Sequence, residues 1–277
     1  MHGHLQWSAG RIAAIVVMHL GALAAIPFFS LPGLIVAVSL YLVIGCLGIC
    51  VGYHRYFTHQ SFKTYGPVRW LLGIAGCLSW QGTPLDWVAT HRLHHQHSDK
   101  PDDPHSPRHG WLWAHMLWFL PLMRTEKVRD LYRTYAPDLL KQRDIRFISK
   151  TYWLWHVLMT MAMLGGGYAL GGWWMALSFL LWGVFVRTTL MCHATWAVNS
   201  LSHIWGPRPF QTGDDSRNNW FVALLAFGEG WHNNHHHDPT SARHGFRWWQ
   251  IDLSYLTICL LEWCHLAWDV HHVPRRR

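Results

Sequence analysis

Four stretches of the chain, about 12–29, 32–53, 152–170 and 173–194, are almost unbroken in apolar residues. Each approaches the ~20 residues that a helix needs to cross a bilayer. Within each pair only a short link intervenes, Ser30-Leu31-Pro32 in the first and Gly171-Gly172 in the second. Links that short join antiparallel neighbours, so the pattern predicts two helical hairpins. The remainder, 54–150 and 195–277, is polar or mixed. Inside it, Trp70–Trp80, Trp111–Leu122 and Ile251–Trp268 are apolar but too short or too mixed to span, which predicts core or interfacial helices. Residues 124–146 are charged and predict one solvated helix. The expectation is a single domain over residues 1–277: an all-α integral membrane protein with four transmembrane helices in two hairpins and a cytosolic helical cap.

Charge sets the expected orientation. Residues 55–150 hold 14 Lys/Arg and residues 195–277 hold 7, whereas both hairpin links hold none. The positive-inside rule then puts both long polar segments and both termini on the cytoplasmic side of a multi-pass protein. Composition agrees: 51% of residues are hydrophobic and only 14% charged, against about a quarter charged in a soluble domain. Twenty Trp fit membrane interfaces. The net charge of +8 comes from scattered basic residues, which argues for a lipid-facing bias and against nucleic acid as partner. The Arg275-Arg276-Arg277 tail could touch anionic headgroups. The start lacks the charged region and small-residue cleavage site of a signal peptide, so the first apolar stretch is expected to stay as a span. Six Cys, none in a Cys-x2-Cys pair, read as small buried hydrophobes.

The candidate chemistry lies in histidine. His54-Arg-Tyr-Phe-Thr-His59, His91-Arg-Leu-His94-His95 and His232-Asn-Asn-His235-His236-His237 all fall in segments assigned to one membrane face. Neutral imidazoles suit iron, copper, zinc and nickel, and no carboxylate cluster or Cys pair is expected to compete for the metal. Positions i, i+3 and i+4 share a helix face, so His91, His94 and His95 converge, as do His232, His235 and His236. Adjacent residues diverge by about 100°, so His94 and His95 are expected to serve different metals, and likewise His235 and His236. His54 and His59 are five apart, which predicts a bend where the second span ends. Asn199 and His203 form an i, i+4 pair after the fourth span, while His193 points elsewhere. His97, His105 and His237 are expected to orient ligands or to be solvated, and His19 to be a hydrogen-bonded interior residue. Arg187, inside the fourth span, is expected either to snorkel toward the cytoplasmic side or to pair with a buried acceptor.

The strings "WVATHRLHHQHSD", "DDPHSP", "HATWAVNSLSH" and "GEGWHNNHH", with the spacings His-x4-His and twice His-x2-His-His, carry a resemblance. From about Gly52 to Phe246 the chain resembles the membrane fatty-acyl desaturases, in their acyl-lipid and stearoyl-CoA delta-9 branch. The resemblance implies two iron ions, with oxygen as co-substrate, held by His54, His59, His91, His94, His95, His203, His232, His235 and His236. It implies a water on one iron held by Asn199. The implied division is His54, His59, His95 and His235 on one iron, with His91, His94, His203, His232 and His236 on the other. Gln81, Trp87, Thr195 and Trp196 match residues lining a kinked acyl tunnel. Two departures, Ala89-Thr90 where those enzymes carry Arg-Asp and Gly82 in place of Asn, weaken coenzyme A recognition. The acyl carrier is then a membrane lipid or acyl-CoA. Without a fused heme domain, electrons must come from a separate cytochrome b5-, ferredoxin- or rubredoxin-like protein.

The expected activity is oxygen-dependent insertion of a cis double bond into a long saturated acyl chain. Removing hydrogen from unactivated methylenes demands chemistry that side chains do not supply, which the metal must provide. Leu42, Cys46 and Cys50, four apart along the second span above His54, either line the blind end of the tunnel or pack toward lipid. A related di-iron hydroxylase acting on alkanes or lipids would yield an alcohol instead. A histidine-rich membrane metal transporter would need polar residues along its spans, and these spans carry almost none.

Overall fold

The computed structural model describes residues 6–272. The terminal arginines named above lie outside them. Among the described residues the fold is helical except for one two-residue ladder, β1 (Lys63–Thr64) pairing antiparallel with β2 (Ala267–Trp268). The first helix, α1 (Ala9–Ala24), is capped by the Ser8 side chain, which accepts from the Arg11 N–H. A 3-10 turn follows, and Ser30 caps the next helix with Pro32 in its first turn. Proline is favoured there because its missing N–H would have no partner.

The second apolar stretch becomes one continuous helix, α2 (Leu31–Thr58), α-helical to Leu40 and i→i+5 bonded from Tyr41 onward. It continues helical to Thr58, past the expected end of the span, and the chain leaves the helix at His59 and Gln60, whose φ is +52. The wider π turn changes which residues share a face, with consequences below. The other long apolar run, Tyr152–Ile204, breaks only at Gly171 and Gly172. Gly172 has φ +66, a left-handed conformation that glycine adopts without steric cost. The break gives α8 (residues 152–170) and the returning α9 (residues 173–204), packed so closely that a side chain on Gly167 would strike the backbone at Ala176. The expected hairpin reversal is therefore present. By length and composition two helical runs suffice to cross a membrane, α2 and the α8–α9 run. Outward faces carry Val17, Leu20, Leu23, Ile35, Val157, Met161 and Trp173 exposed. Apolar faces of this extent are interaction surfaces, for lipid or for protein.

The intervening segment builds α3 (Gly66–Cys77) and α4 (Pro84–His97). A reciprocal cap fixes the start of α4: Asp86 N donates to the Thr83 hydroxyl at 3.2 Å, and Thr83 N donates to the Asp86 carboxylate at 3.0 Å. The charged stretch expected to be one helix is three: α5 (Thr125–Tyr135), α6 (Pro137–Lys141) and α7 (Arg143–Lys150). Pro137 forces the first break, since it cannot donate into a continuing helix. Three short helices complete the chain: α10 (Trp220–Leu225), α11 (His232–His237) and α12 (Leu253–Trp263). The main core packs the end of α2 against α3, α4, α7 and α12 through residues such as Tyr53, Phe57, Leu72, Val88, Ile148 and Ile258. Arg187 is buried and donates to the Leu78 carbonyl at 2.8 Å and the Gly183 carbonyl at 3.1 Å, as expected of a paired charge.

Candidate metal centre

Four elements bring histidines to one place: the end of α2, the middle of α4, the end of α9 and α11. On α2 the i→i+5 bond from His59 N to the His54 carbonyl, 3.1 Å, sets two rings five residues apart on one side, with centroids 4.8 Å apart. On α4, His91 and His95 share a face, with their Nε2 atoms 3.1 Å apart. His94 turns away from them toward Asp103.

The rings sort into two groups. His54, His59, His91, His95 and His235 each offer a nitrogen within 4.8 Å of the others, and so do His94, His203, His232 and His236. Within the first group, His235 Nε2 lies 3.0 Å from His54 Nε2 and 3.0 Å from His95 Nε2. Within the second, His203 and His232 approach Nε2 to Nε2 at 3.0 Å. The split of His94 from His95, and of His235 from His236, follows from helix geometry. His91 differs from the expected division: it joins His54, because i and i+4 put it beside His95 and Trp87 stacks it in place at 4.7 Å. Asn199 stands half-buried on α9 one turn before His203.

Protonation follows from what stands behind the rings. The Nδ1 atoms of His54, His94, His203 and His236 face Glu229 (2.6 Å), Asp103 (3.0 Å), Asp99 (2.9 Å) and Asp214 (2.7 Å). A carboxylate only accepts, so each Nδ1 carries the proton and each Nε2 turns a lone pair inward. Burial drives the carboxyl groups up, but their partners win: Arg55 and His54 hold Glu229 well below its usual range, and His236 holds Asp214 down. Asp99 and Asp103 are held low in the same way by His203 and His94. Burial also keeps His59, His91, His95, His232 and His235 well below the ordinary imidazole value, and His236 is pushed down to about 4. Neutral imidazoles beside ionised carboxylates are the state that metal ligation requires.

Nε2 atoms 3.0 Å apart must share a proton or a cation, and nothing bonds Nδ1 of His232 or His235 to fix the tautomer. The Nε2 atoms of His59, His94 and His236 are buried and have no hydrogen-bond partner. The donor set therefore fits two metal ions, one per group.

Sequence reading missed the groups that aim these rings. Asp99, Asp103, Asp214 and Glu229 sit inside or beside the quoted strings, yet nothing in spacing says that they face Nδ1. His244 was missed as well: it is fully buried, its ring 4.4 Å from His235 and its Nδ1 3.3 Å from Glu229. Of the three extra histidines, His105 packs 4.3 Å from His94 and beside Asp103, His237 stacks on Phe210 at 4.0 Å, and His97 is half-buried. His193 does stand apart from the centre, between His19 (2.9 Å) and His115 (3.0 Å).

Beside the first group lies a narrow apolar cleft of ≈ 20 Å³ between α2, α9 and the end of α10. Tyr41, Gly45, Ile49 and Cys50 line it from α2, Thr195 from α9, and Glu229 stands at the metal end. Gln81 and Trp87 join Thr195: Gln81 Nε2 donates to the Thr195 hydroxyl at 3.1 Å and Trp87 Nε1 to the Gln81 carbonyl oxygen at 3.4 Å. Three expected lining residues lie elsewhere. Leu42 faces outward, 47% exposed, and Cys46 packs toward Ser254 and Thr257 of α12. The i→i+5 turn moves the stripe by one residue, from 42 and 46 to 41 and 45. Trp196 points to the other side of α9, stacked on Phe119 in a cluster with Met18 and Cys192.

Comparison with known proteins agrees. Residues 28–258 match the family described as Fatty acid desaturase. The chain is 42% identical over 262 residues to the sn-1 stearoyl-lipid 9-desaturase of Anabaena variabilis, covering 94% of this chain and 92% of that one. It is 43% identical over 269 residues to the chloroplastic palmitoyl-monogalactosyldiacylglycerol delta-7 desaturase of Arabidopsis thaliana, covering 96% and 70%. It is 42% identical over 268 residues to an acyl-CoA C20 delta-5 desaturase of Anemone leveillei, covering 96% and 83%.

Proposed function

The chain belongs to the fatty acid desaturase family and is an oxidoreductase that desaturates fatty acyl chains; from that premise we propose that it places a cis double bond at the delta-9 position of a saturated chain esterified in a membrane lipid. The relatives act at three positions and on lipid or coenzyme A carriers at nearly equal identity. The lipid carrier is favoured by Ala89 and Thr90, which offer no charge for a coenzyme A phosphate. The delta-9 position is favoured by the Anabaena variabilis relative, matched over nearly its whole length.

One observation carries the reading: nine inward-turned imidazoles in two buried groups, with an apolar cleft running up to the first. Iron, the metal of this family, would be held by His54, His59, His91, His95 and His235 in one group. The other would use His94, His203, His232 and His236, with Asn199 holding a water. Iron would supply the oxygen-dependent removal of two hydrogens, a reaction that consumes one oxygen molecule, two electrons and two protons and releases two waters. The chain's own residues do the positioning. Asp99, Asp103, Asp214 and Glu229 keep Nδ1 protonated and the rings fixed. The Trp87–Gln81–Thr195 chain links the ring stacked on His91 to the wall of the cleft, and the apolar lining excludes water. Positional errors of about 1 Å cost on the order of a hundredfold in rate.

In this reading α1, α2, α8 and α9 supply four spans, and the polar cap faces the cytoplasm. The charge asymmetry and the exposed apolar faces of those helices support it. Expression in a host lacking desaturases, with a compatible reductant, tests the function. New delta-9 double bonds on glycerolipid, with about two irons per chain, are expected. Alcohol products would instead support a hydroxylase, and zinc without oxidation products would sink both.

A further inference from the structure

The loop between α9 and α10 closes over the second imidazole group, and two consecutive residues tie it there. The Asp214 carboxylate accepts from His236 Nδ1 at 2.7 Å. The next residue, Asp215, donates its backbone N–H to Asp99 Oδ2 at 2.8 Å, and that same oxygen accepts from His203 Nδ1 at 2.9 Å. The loop is held against α11: Asn233 Oδ1 accepts from Phe210 N at 2.8 Å, and Thr212 donates to Asp214 at 2.8 Å.

The outer side of the same loop is basic. The Asp215 carboxylate, 35% exposed, takes Arg108 Nε at 2.9 Å and its terminal nitrogen at 2.8 Å, with Arg208 at 3.7 Å. Arg108 is 60% exposed. Arg208 also donates to the Asp214 carbonyl, and Arg217 to the Gly206 carbonyl. Two guanidiniums, Arg108 and Arg208, thus flank the Asp215 carboxylate on the outer side, while Asp214 turns inward to His236. From the surface to His203 runs an unbroken bonded route: Arg108, Asp215, its N–H, Asp99, imidazole.

Each double bond needs two electrons from outside the chain, and they must cross the cap. We propose that the Arg108–Asp215–Arg208 surface is where the electron donor docks, and that the donor is a one-electron carrier protein with an acidic face around its redox centre. This rests on the desaturase reading. The loop joins a positive surface, which steers an acidic partner, to two ligand imidazoles through hydrogen bonds of 2.7–2.9 Å.

The test uses iron-loaded enzyme in phosphatidylcholine nanodiscs with an acidic [2Fe–2S] ferredoxin as probe. R108E/R208E is expected to weaken ferredoxin binding at least about tenfold and to flatten its dependence on salt. It is expected to slow ferredoxin-driven reduction of the iron in proportion, while dithionite-driven reduction stays unchanged. R108Q/R208Q, which neutralises without reversing, should fall between. K127E/R129E on exposed α5 should stay within about twofold of wild type. Binding unchanged in the patch variants, equal weakening by the α5 variant, or an equal loss under dithionite would each overturn the proposal. The two readings fail separately: wild-type enzyme that forms no double bond after dithionite reduction and oxygen sinks the desaturase reading, whatever ferredoxin does.

Discussion

The two imidazole groups use one residue type at the same spacings, yet they are braced in opposite ways. Behind the first group stands a single carboxylate, Glu229, shared by His54, His244 and Arg55. Arg55 in turn reaches Asp252 at 3.0 Å, and Asp252 accepts from the N–H groups of His244 (2.7 Å) and Tyr255 (2.9 Å). Glu229, Asp252, His54, His244 and Arg55 are all buried, Arg55 completely. Behind the second group stand three carboxylates, Asp99, Asp103 and Asp214, one to each of three rings and carried on turns and loops; Asp103 also accepts from the Asp99 N–H at 2.8 Å. The first brace is therefore part of the core and cannot be altered without disturbing the fold. The second gives each of these rings its own carboxylate.

The largest effect should come from breaking the shared brace. Arg55→Met leaves Glu229 and Asp252 buried without their cation, which costs about 3–5 kcal/mol. Thermal unfolding of the purified protein should move sharply downward and both metals should be lost. A variant with wild-type unfolding would erase the contrast between the groups. Next comes Asp214→Asn, which keeps the shape but ceases to fix His236. Metal affinity at the second group should fall about 10–100-fold, with iron dropping from two toward one per chain while the unfolding temperature barely moves.

His91 sharpens the same contrast. Because it stands in the first group, H91A and D214N should damage different sites, and the double variant should hold less iron than either single one. Iron content equal to that of D214N alone would return His91 to the second group. The smallest effects concern the cleft, which adjoins only the first group. Tyr41→Ala should lengthen the preferred acyl chain by a few carbons in fatty-acid analysis, since the Tyr41 hydroxyl, bonded to the Leu225 carbonyl at 2.7 Å, closes its far end. Leu42→Trp, outward on the same helix, should leave the product profile as it was. A shift from Leu42→Trp would place the lining stripe back where the i, i+4 rule put it.

That stripe shows why part of the site could not be read from sequence. The i, i+4 rule assumes 3.6 residues per turn, and along α2 the hydrogen bonds run i→i+5 from Tyr41 to Thr58. The same change brought His54 and His59 to one side. Trp196 was misplaced for a related reason: it neighbours Thr195 in sequence, but adjacent helical residues point about 100° apart.

The chain's pattern alone determined a good deal. Apolar run length and the Gly171-Gly172 link specified the α8–α9 reversal, because only a turn fits between two such runs. Spacings within α4 and α11 specified that neighbouring histidines serve different groups, because helix geometry is local. What surrounds the rings was decided by tertiary structure. Asp99 lies 104 positions from His203, and Glu229 lies 174 from Arg55. Packing brings such pairs together, and no short-range periodicity encodes them. The same holds for His91, whose group depends on Trp87 and His54 closing around it. Sequence supplied the nitrogen donors, and the folded chain decided which lone pairs face which metal.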